Sequence, residues 1–331
     1  MLHRFSKLVV ASTILLLLAG SLVTSTGSGL SVPDWPTTYG WNMFTFPPSK
    51  WVGGIFYEHG HRLIASTVGF LTIILAAWLW MAEPRRWMKW LGVAALGSVI
   101  LQGALGGLTV LFYLPTAISS AHAGLAEIFF CMTVAIALFT SRAWLTAGNA
   151  VDDSLLRRVA TATTITIYAQ IIVGAVMRHS DAGLAIPDFP WMFGHVIPDH
   201  WDPRIAIHFA HRVGALMVTL SVIATAAHIW YHHRNRRELT RPATFSLLLV
   251  AAQVTLGALT VLSKRDVWIN SVHLVNGALV LATSIVITLR SWQVRIAEQV
   301  RLKADTTPVV RSVRLQADPE VRLQPDQGSR A

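Results

Sequence analysis

Charged residues and cysteines are both scarce in this chain. Only 13% of its 331 residues are charged, and a single cysteine, Cys131, is present. One cysteine excludes an intrachain disulfide, so no loop can be closed by one. The low charge accompanies 53% hydrophobic residues and a mean hydropathy of +0.51, which together exclude a soluble domain of this size. The composition predicts a membrane protein.

Apolar runs of about 20 residues predict an all-α, polytopic membrane protein with eight transmembrane helices. The first run follows Arg4 and Lys7, as in a signal peptide, but its exit resembles that of the fifth run, so we expect a retained helix. The predicted spans are residues 8–26, 62–82, 87–112, 117–140, 156–177, 206–231, 243–262 and 269–289.

The net charge of +10 follows a membrane topology and does not indicate nucleic-acid binding. Basic residues cluster at the amino terminus, in the loops after the second, fourth and sixth spans, and in the carboxyl-terminal tail. The positive-inside rule therefore predicts that both termini are cytoplasmic.

The two halves of the chain repeat each other. His61-Arg62 matches His211-Arg212 at an offset of 150, and His122 matches His273 at an offset of 151. The segments 102–111 and 253–262, and the Pro-Asp-Trp/Phe-Pro loops at 33–36 and 187–190, repeat as well. Four spans per half predict two four-helix bundles in a parallel, same-direction repeat, covering residues 1–150 and 151–293. Residues 294–331 carry a degenerate Val-Arg-Leu repeat and are predicted to be a disordered cytoplasmic tail.

Four histidines at repeat-equivalent positions indicate two equivalent binding sites. His61, His122, His211 and His273 are expected in the first turns of their spans, at similar depth near the outer face. Two helices of a bundle that each present one imidazole favour haem with two axial histidines. A zinc site would require further ligands, and a proton path or a purely structural role would not require the duplication.

Each helix-start histidine is followed by an arginine. Arg62 and Arg212 can pair with a haem propionate or with lipid headgroups, and the sequence leaves both interpretations open.

One acid distinguishes the halves. Glu58 precedes His61 by three residues, whereas His208 holds the matching place before His211. A carboxylate in only one site favours chemistry there, since it can take a proton or stabilise a developing cation. The alternative is an ion pair between Glu58 and Arg62. Glu127 has no acidic counterpart, and the sequence assigns it no role.

Other small and polar residues receive simpler interpretations. Glycines of the third and seventh spans, such as Gly106 and Gly257, are expected to let helices pack closely. Histidines without a repeat partner, including His59, His228 and His233, are expected to be solvated or interfacial.

Taken in order and in duplicate, these motifs resemble the haem A synthase family over about residues 8–290. They are Glu58-x-x-His61-Arg62, Ala121-His122-Ala123-Gly124, His211-Arg212, Val272-His273-Leu274-Val275-Asn276-Gly277 and the Pro-Asp-Trp/Phe-Pro loops. The resemblance implies an eight-helix enzyme of the bacterial cytoplasmic (inner) membrane. That enzyme oxidises the C8 methyl of haem O to a formyl group by successive hydroxylations, for cytochrome oxidase assembly.

The resemblance also implies roles for the repeated residues. His61 and His122 would hold substrate haem O, His211 and His273 a haem b cofactor, and Glu58 would be catalytic. It implies delivery of haem O by a haem O synthase and an electron acceptor that the sequence does not identify. A homo-oligomer is compatible with it. Some members carry a cysteine pair in the first outer loop, which residues 27–60 lack, so a thiol step there is not expected. The runner-up functions are a di-haem electron-transfer cytochrome and a haem carrier.

Overall fold

The predicted spans form long, uninterrupted α-helices. In the computed structural model, described for residues 1–146 and 151–293, eight helices of 24 to 30 residues are long and apolar enough to cross a membrane. The helices are α1 (Leu2–Ser25), α2 (Gly54–Ala82), α3 (Arg86–Leu111), α4 (Thr116–Phe139), the short α5 (Arg142–Leu145), α6 (Ser154–His179), α7 (Pro203–His232), α8 (Arg237–Leu262) and α9 (Val267–Ser291). The described residues contain no β-strand beyond isolated bridges. The prediction of an all-α polytopic membrane protein is confirmed.

Several helices begin earlier than the sequence indicated. Helix α2 starts at Gly54 rather than at residue 62, α1 at Leu2 rather than at residue 8, and α8 at Arg237 rather than at residue 243. The polar residues Glu58 and His59 lower the local hydropathy and hide the first two turns of α2. His61 therefore lies two turns inside α2.

The start of α7 has a recognisable sequence signal. The Asp202 carboxylate accepts hydrogen bonds from the backbone N–H groups of Arg204 and Ile205 at 2.7 and 2.8 Å, and Pro203 occupies the first helical position. Aspartate at the N-cap and proline directly after it are both favoured at helix starts. The same capping by Asp266 begins α9.

Helix packing has the same order in both halves. In the first half α1, α2, α3 and α4 contact one another in a ring, and α6, α7, α8 and α9 do so in the second. The halves meet where α1 contacts α9, α4 contacts α6, and α4 contacts α9. These contacts make residues up to 293 one compact unit. The division into two domains at residue 150 stays a prediction, and the predicted tail at 294–331 lies outside the described residues.

A polar cluster links the halves near one end of the helices. The Ser25 hydroxyl at the end of α1 accepts hydrogen bonds from Arg178 of α6 at 2.9 Å and from Asn270 and Ser271 of α9 at 3.2 and 3.0 Å. Arg178 also donates to the backbone carbonyl of Ser21. Polar side chains between spans are expected to find partners in this way, because lipid offers none.

The two long loops, 26–53 and 180–202, lie at this same end, which we call the loop end. The Trp35 ring of the first loop packs on Gly107 near the end of α3, and Thr116 at the start of α4 bonds the carbonyl of His179 at the end of α6. Helices α2, α4, α7 and α9 therefore begin at the loop end. All four repeated histidines lie two turns from it.

Candidate haem-binding sites

Each repeated histidine packs the Cε1 corner of its imidazole against a glycine of the neighbouring helix. A Cβ built on any of these four glycines would lie only 2.9 to 3.1 Å from the Cε1 atom of the imidazole. Distances of this length are tighter than nine in ten real Cβ contacts, so each glycine acts as a seat for one imidazole. The pairs are His61 on Gly20, His122 on Gly106, His211 on Gly174 and His273 on Gly257.

The seats explain part of the repeated sequence. Gly20 and Gly174 match at the offset of 154 that relates the loops, and Gly106 and Gly257 match at 151. The sequence interpretation of Gly106 and Gly257 as helix-packing glycines was incomplete, because their space is filled by an imidazole. Within each half the two imidazoles lie close enough to interact electrostatically. The structure thus brings together the predicted pairs.

Glutamines approach three of the four histidines. Gln102 donates to the backbone carbonyl of His122 at 2.9 Å and lies 3.4 Å from its Nε2 atom. Gln253 lies 3.4 Å from Nε2 of His273, and its own carbonyl accepts a bond from Asn276 at 2.8 Å. Gln170 contacts His211. Sequence reasoning missed these glutamines, although Gln102 and Gln253 are polar residues that repeat within apolar spans.

The histidines fit axial haem ligation. Among the described residues, the buried Nδ1 atoms of His61, His122 and His273 have no hydrogen-bond partner. Buried polar atoms are rarely left unpaired, and such exceptions call for an explanation. Each half thus offers two histidines on facing helices, three of the four with an unpaired ring nitrogen, and paired imidazoles are the donor set that haem iron takes from a helix bundle.

Glu58 is bound on both of its carboxylate oxygens. Its Oε1 accepts a hydrogen bond from Arg62 at 2.7 Å, and its Oε2 accepts one from the backbone N–H of Val32 at 2.7 Å. Both side chains are buried, with 5% and 10% of their surface exposed. The ion pair that the sequence left open is therefore present, and it lies one turn from the His61 imidazole.

The second half replaces this acid and keeps its contact to the loop. The Nδ1 atom of His208 accepts a hydrogen bond from the backbone N–H of Ile186 at 3.2 Å, and Ile186 matches Val32 at the offset of 154. Glu58 and His208 thus each anchor the loop of their half by accepting the matching backbone N–H. Only Glu58 adds a carboxylate to its site.

The two arginines hold the loops. Arg62 donates to the carbonyls of Val32, Asp34 and Thr37 at 2.7 to 2.9 Å. Arg212 donates to the matching loop, at the carbonyls of Ile186, Asp188 and Trp191. With Glu58, these bonds use all four terminal N–H groups of Arg62, so only its Nε–H is left for a propionate. The propionate contact stays a prediction.

Each loop is closed by an aspartate. Asp34 accepts hydrogen bonds from the backbone N–H groups of Tyr39 and Gly40 at 2.7 and 2.8 Å, and Asp188 accepts them from Phe193 and Gly194. Burial raises the pKa of the Asp34 carboxyl, but these bonds and one from Thr37 outweigh it, and the pKa lies below its ordinary value. The same balance lowers the pKa of Asp188.

Four other polar residues lie among protein contacts. His59 was expected to be solvated or interfacial, but it is not solvated: it is fully buried against Trp51, with Nδ1 at 3.1 Å from the Thr38 hydroxyl. His228 and His233 contact Asp153 and are discussed below. Glu127 is buried in α4, and its Oε2 has no hydrogen-bond partner among the described residues.

The fold and the site define a class: an eight-helix membrane protein with two histidine pairs beneath two matching loops. The family of cytochrome oxidase assembly proteins matches residues 3–285. The chain belongs to this family, and the resemblance found in its motifs is confirmed.

Curated relatives cover nearly the same length. A heme A synthase from Alkalihalophilus pseudofirmus is 30% identical over 276 residues, which is 82% of this chain and 91% of that protein. One from Halalkalibacterium halodurans is 30% identical over 286 residues, covering 82% and 92%. One from Geobacillus kaustophilus is 28% identical over 280 residues, covering 82% and 86%.

Proposed function

We propose that this protein is a haem A synthase that oxidises the C8 methyl group of haem O to a formyl group for cytochrome oxidase assembly. The observation that carries the proposal is the presence of an acid in only one of the two repeat-related sites. Glu58 stands one turn from His61, and His208 stands in its place beside His211. The family and the relatives named above support the same activity.

The overall reaction fixes what the protein must handle. Converting a methyl to a formyl group with water as the oxygen source consumes one water and releases four electrons and four protons. The electrons need an acceptor outside this chain. The protons need acceptors, and only the first half has a carboxylate, Glu58, beside its haem-site histidine.

The first half would hold the substrate. His61 and His122 would ligate haem O from opposite helices, and their glycine seats keep both imidazoles against the helix backbones. Glu58 would accept a proton or stabilise positive charge that develops at the C8 substituent. Arg62 orients this carboxylate and closes the loop above it.

The second half would hold haem b as a cofactor between His211 and His273. When bound, haem b supplies a one-electron relay. In the second half, His208 stands where Glu58 stands in the first. A site without this carboxylate suits electron transfer, in which no covalent bond of the haem is formed or broken. Arg212 would keep the second loop closed over it.

We further propose that the protein lies in the bacterial inner membrane with both termini in the cytoplasm. The loops opposite the loop end are rich in lysine and arginine, including Arg85, Lys89 and Arg237. The haem sites would then face the outer side. Haem O would be delivered by a haem O synthase, the lipid bilayer surrounds the helices, and a homo-oligomer is compatible with the free outer faces of the bundles.

Haem analysis tests the function directly. The protein would be expressed in a host that makes haem O but no haem A, and the extracted haems would be separated chromatographically and identified by mass. We expect haem A or its hydroxylated precursor with the unmutated protein and neither with Glu58→Gln. Haems B and O alone, in a host with its electron-transfer partners present, would instead favour a di-haem electron-transfer cytochrome.

A further inference from the structure

A second histidine cluster lies at the end of the second half that is opposite the loop end. Asp153, His228 and His233, which we call the Asp153 cluster, come from the start of α6 and the end of α7. The Asp153 Oδ2 atom lies 2.8 Å from Nε2 of both histidines, and the three ligand atoms lie within 4.8 Å of one another. Gly174 follows Asp153 by 21 residues, so the cluster is about 30 Å along α6 from the haem-site histidines.

The carboxylate is already oriented as metal-binding carboxylates are. Its other oxygen, Oδ1, accepts the backbone N–H of Leu156 at 2.8 Å, so Oδ2 alone faces the imidazoles. Ligating carboxylates commonly have such an outer hydrogen bond that fixes their direction. The side chains are partly buried, with 14 to 16% of their surface exposed, so the cluster is shielded but open to an ion from water.

The fold itself does not require this cluster. At the matching end of the first half, Trp78 and Glu83 stand where His228 and His233 stand in the second. Glu83 there forms an ion pair with Arg85 at 2.6 Å. The same helix end is thus stabilised without a histidine cluster, and the Asp153 cluster is outside the duplicated haem-site residues.

We propose that Asp153, His228 and His233 bind one divalent transition-metal ion of the zinc class. Two imidazoles and one carboxylate suit zinc and its neighbours, whereas magnesium and calcium prefer oxygen ligands alone. Ligands of a tetrahedral zinc ion lie about 3.4 Å apart. The two 2.8 Å contacts need to widen by about 0.6 Å to reach this separation, with water as the fourth ligand. Binding would join the start of α6 to the end of α7.

Equilibrium dialysis of the full chain against zinc chloride tests this site. The protein would be purified in detergent without a histidine tag, and bound zinc would be counted by mass spectrometry. We expect one zinc per chain, with affinity weakened at least about tenfold in His228→Ala and Asp153→Asn. Asparagine keeps an acceptor for the Leu156 N–H, so the helix cap is preserved. The matched control is His200→Ala, since exposed His200 contacts Asp199 and the Phe193 ring and lies outside the Asp153 cluster.

X-ray absorption at the zinc edge, on unmutated protein, gives a test that depends on no variant. Two imidazole ligands are expected. No stoichiometric zinc, a different imidazole count, or equal loss in His200→Ala would overturn the site and leave the Asp153 cluster as a hydrogen-bond network.

A second inference rests on an asymmetry beside the haem-site histidines. Gln170 donates to the backbone carbonyl of His211 at 2.7 Å, and its amide nitrogen lies 3.0 Å from the Nδ1 atom of the same residue. Gly214 leaves the space for this amide, because a Cβ there would collide with Gln170 Oε1. His211 is therefore held at two points.

The first half lacks both parts of this arrangement. Leu16 stands at the position that matches Gln170, one turn before the Gly20 seat, and Ile64 stands at the position that matches Gly214. Leucine offers no amide, and the Nδ1 atom of His61 has no partner among the described residues. In the other pair, Gln102 with His122 and Gln253 with His273, an amide nitrogen lies 3.4 Å from Nε2 in both halves. Among the described residues, His61 is therefore the one repeated histidine without a glutamine contact.

We infer that Gln170 is a positioning residue that makes His211 a permanently held ligand, whereas His61 is the ligand that yields when haem enters or leaves. This inference rests on the proposed function. Contacts from outside the site fix the position of a ligating residue. The amide nitrogen of Gln170 is a donor only, so it holds the helix turn and the ring of His211 in place and does not accept the Nδ1 proton. A cofactor needs such a ligand. A substrate that must depart as product needs one that can turn away.

Haem transfer to an excess of a haem-binding acceptor protein measures the difference. In a His61→Ala background, which removes a substrate-site ligand, we expect Gln170→Leu to release the remaining haem about tenfold faster. Gly214→Ala, which displaces the amide without removing it, should act in the same direction. The control is Gly69→Ala, where an added Cβ meets nothing within 4 Å. The low-spin electron paramagnetic resonance signal should shift in the first two variants only.

The outcomes separate the two proposals. Unchanged release and an unchanged signal in both Gln170→Leu and Gly214→Ala would overturn the role of Gln170 and leave the synthase intact. Absence of any haem from the unmutated protein would overturn the proposed function instead.

Discussion

The carboxylate of Glu58 accepts a hydrogen bond from the backbone N–H of Val32 at 2.7 Å, so the candidate catalytic acid also holds the loop above its site. His208 makes the corresponding bond to Ile186 in the second half. Replacing Glu58 can therefore disturb chemistry, loop position or both. Variants must be chosen to separate these effects.

Glu58→Gln removes the charge and keeps an oxygen for the Val32 N–H. We expect haem content close to that of the unmutated protein and a loss of product formation of about 100-fold or more, as for the removal of a general acid or base. Glu58→Ala should add loosening of the loop, seen as faster amide exchange at Val32. Normal haem A production by Glu58→Gln would contradict the catalytic role.

Gly106→Ala places a methyl group against the His122 imidazole. The Cβ would lie 3.1 Å from Cε1, so the ring must shift by a few tenths of an ångström or tilt. We expect weaker haem binding in the first half, at a cost of about 1–3 kcal/mol for an overfilled site, and an altered visible spectrum. Gly103→Ala on the same helix is the control, because its Cβ meets nothing within 4 Å. Equal effects from both variants would rule out the seat.

Gly107→Ala should displace Trp35, and a second change should rescue it. A Cβ at residue 107 would lie 2.5 Å from the Trp35 ring. In the second half, Ala258 stands at the position that matches Gly107, and the smaller Phe189 at the position that matches Trp35. We expect Gly107→Ala to destabilise the protein by about 1–3 kcal/mol. The double variant Gly107→Ala with Trp35→Phe should recover most of this loss. A double-mutant cycle from thermal unfolding measures the coupling, and additive effects would refute it.

The Asp34 turn should depend on pH. The pKa of Asp34 is lowered in the fold, so its stabilising effect is complete above the unfolded value of about 3.9 and is lost as the pH falls through the folded value. At neutral pH, Asp34→Asn should lose protection from hydrogen exchange at Tyr39 and Gly40. Once the pH falls below the lowered pKa of Asp34, the variant and the unmutated protein should converge. Asp181→Asn, in an exposed part of the second loop, should show no such difference at Tyr39.

The sequence predicted the parts of the fold that depend on hydropathy and repetition. The count of eight spans and the histidine pairs follow from apolar runs and fixed offsets, and both are present in the structure. The predicted start of α2 was wrong, because Glu58 and His59 are polar residues that lie buried inside the first turns of this helix. Hydropathy cannot recognise a polar residue that is paired inside the fold.

Contacts between distant segments could not be predicted in this way. Asp153 and His228 are 75 residues apart and meet only because α6 and α7 pack side by side. Gln170 acquires its role from a glycine 44 residues later, which leaves space that no local pattern reveals. The repeat does show the difference once the halves are aligned, because Leu16 and Ile64 stand in the first half where Gln170 and Gly214 stand in the second.

Arg62 follows His61 directly and donates to three carbonyls of the first loop. Movement of the first loop is therefore coupled, through Arg62, to the helix turn that carries His61. Entry of a large flat molecule past the loop would have to move the loop and would strain that turn. Entry between the helices would leave the contacts of Arg62 intact.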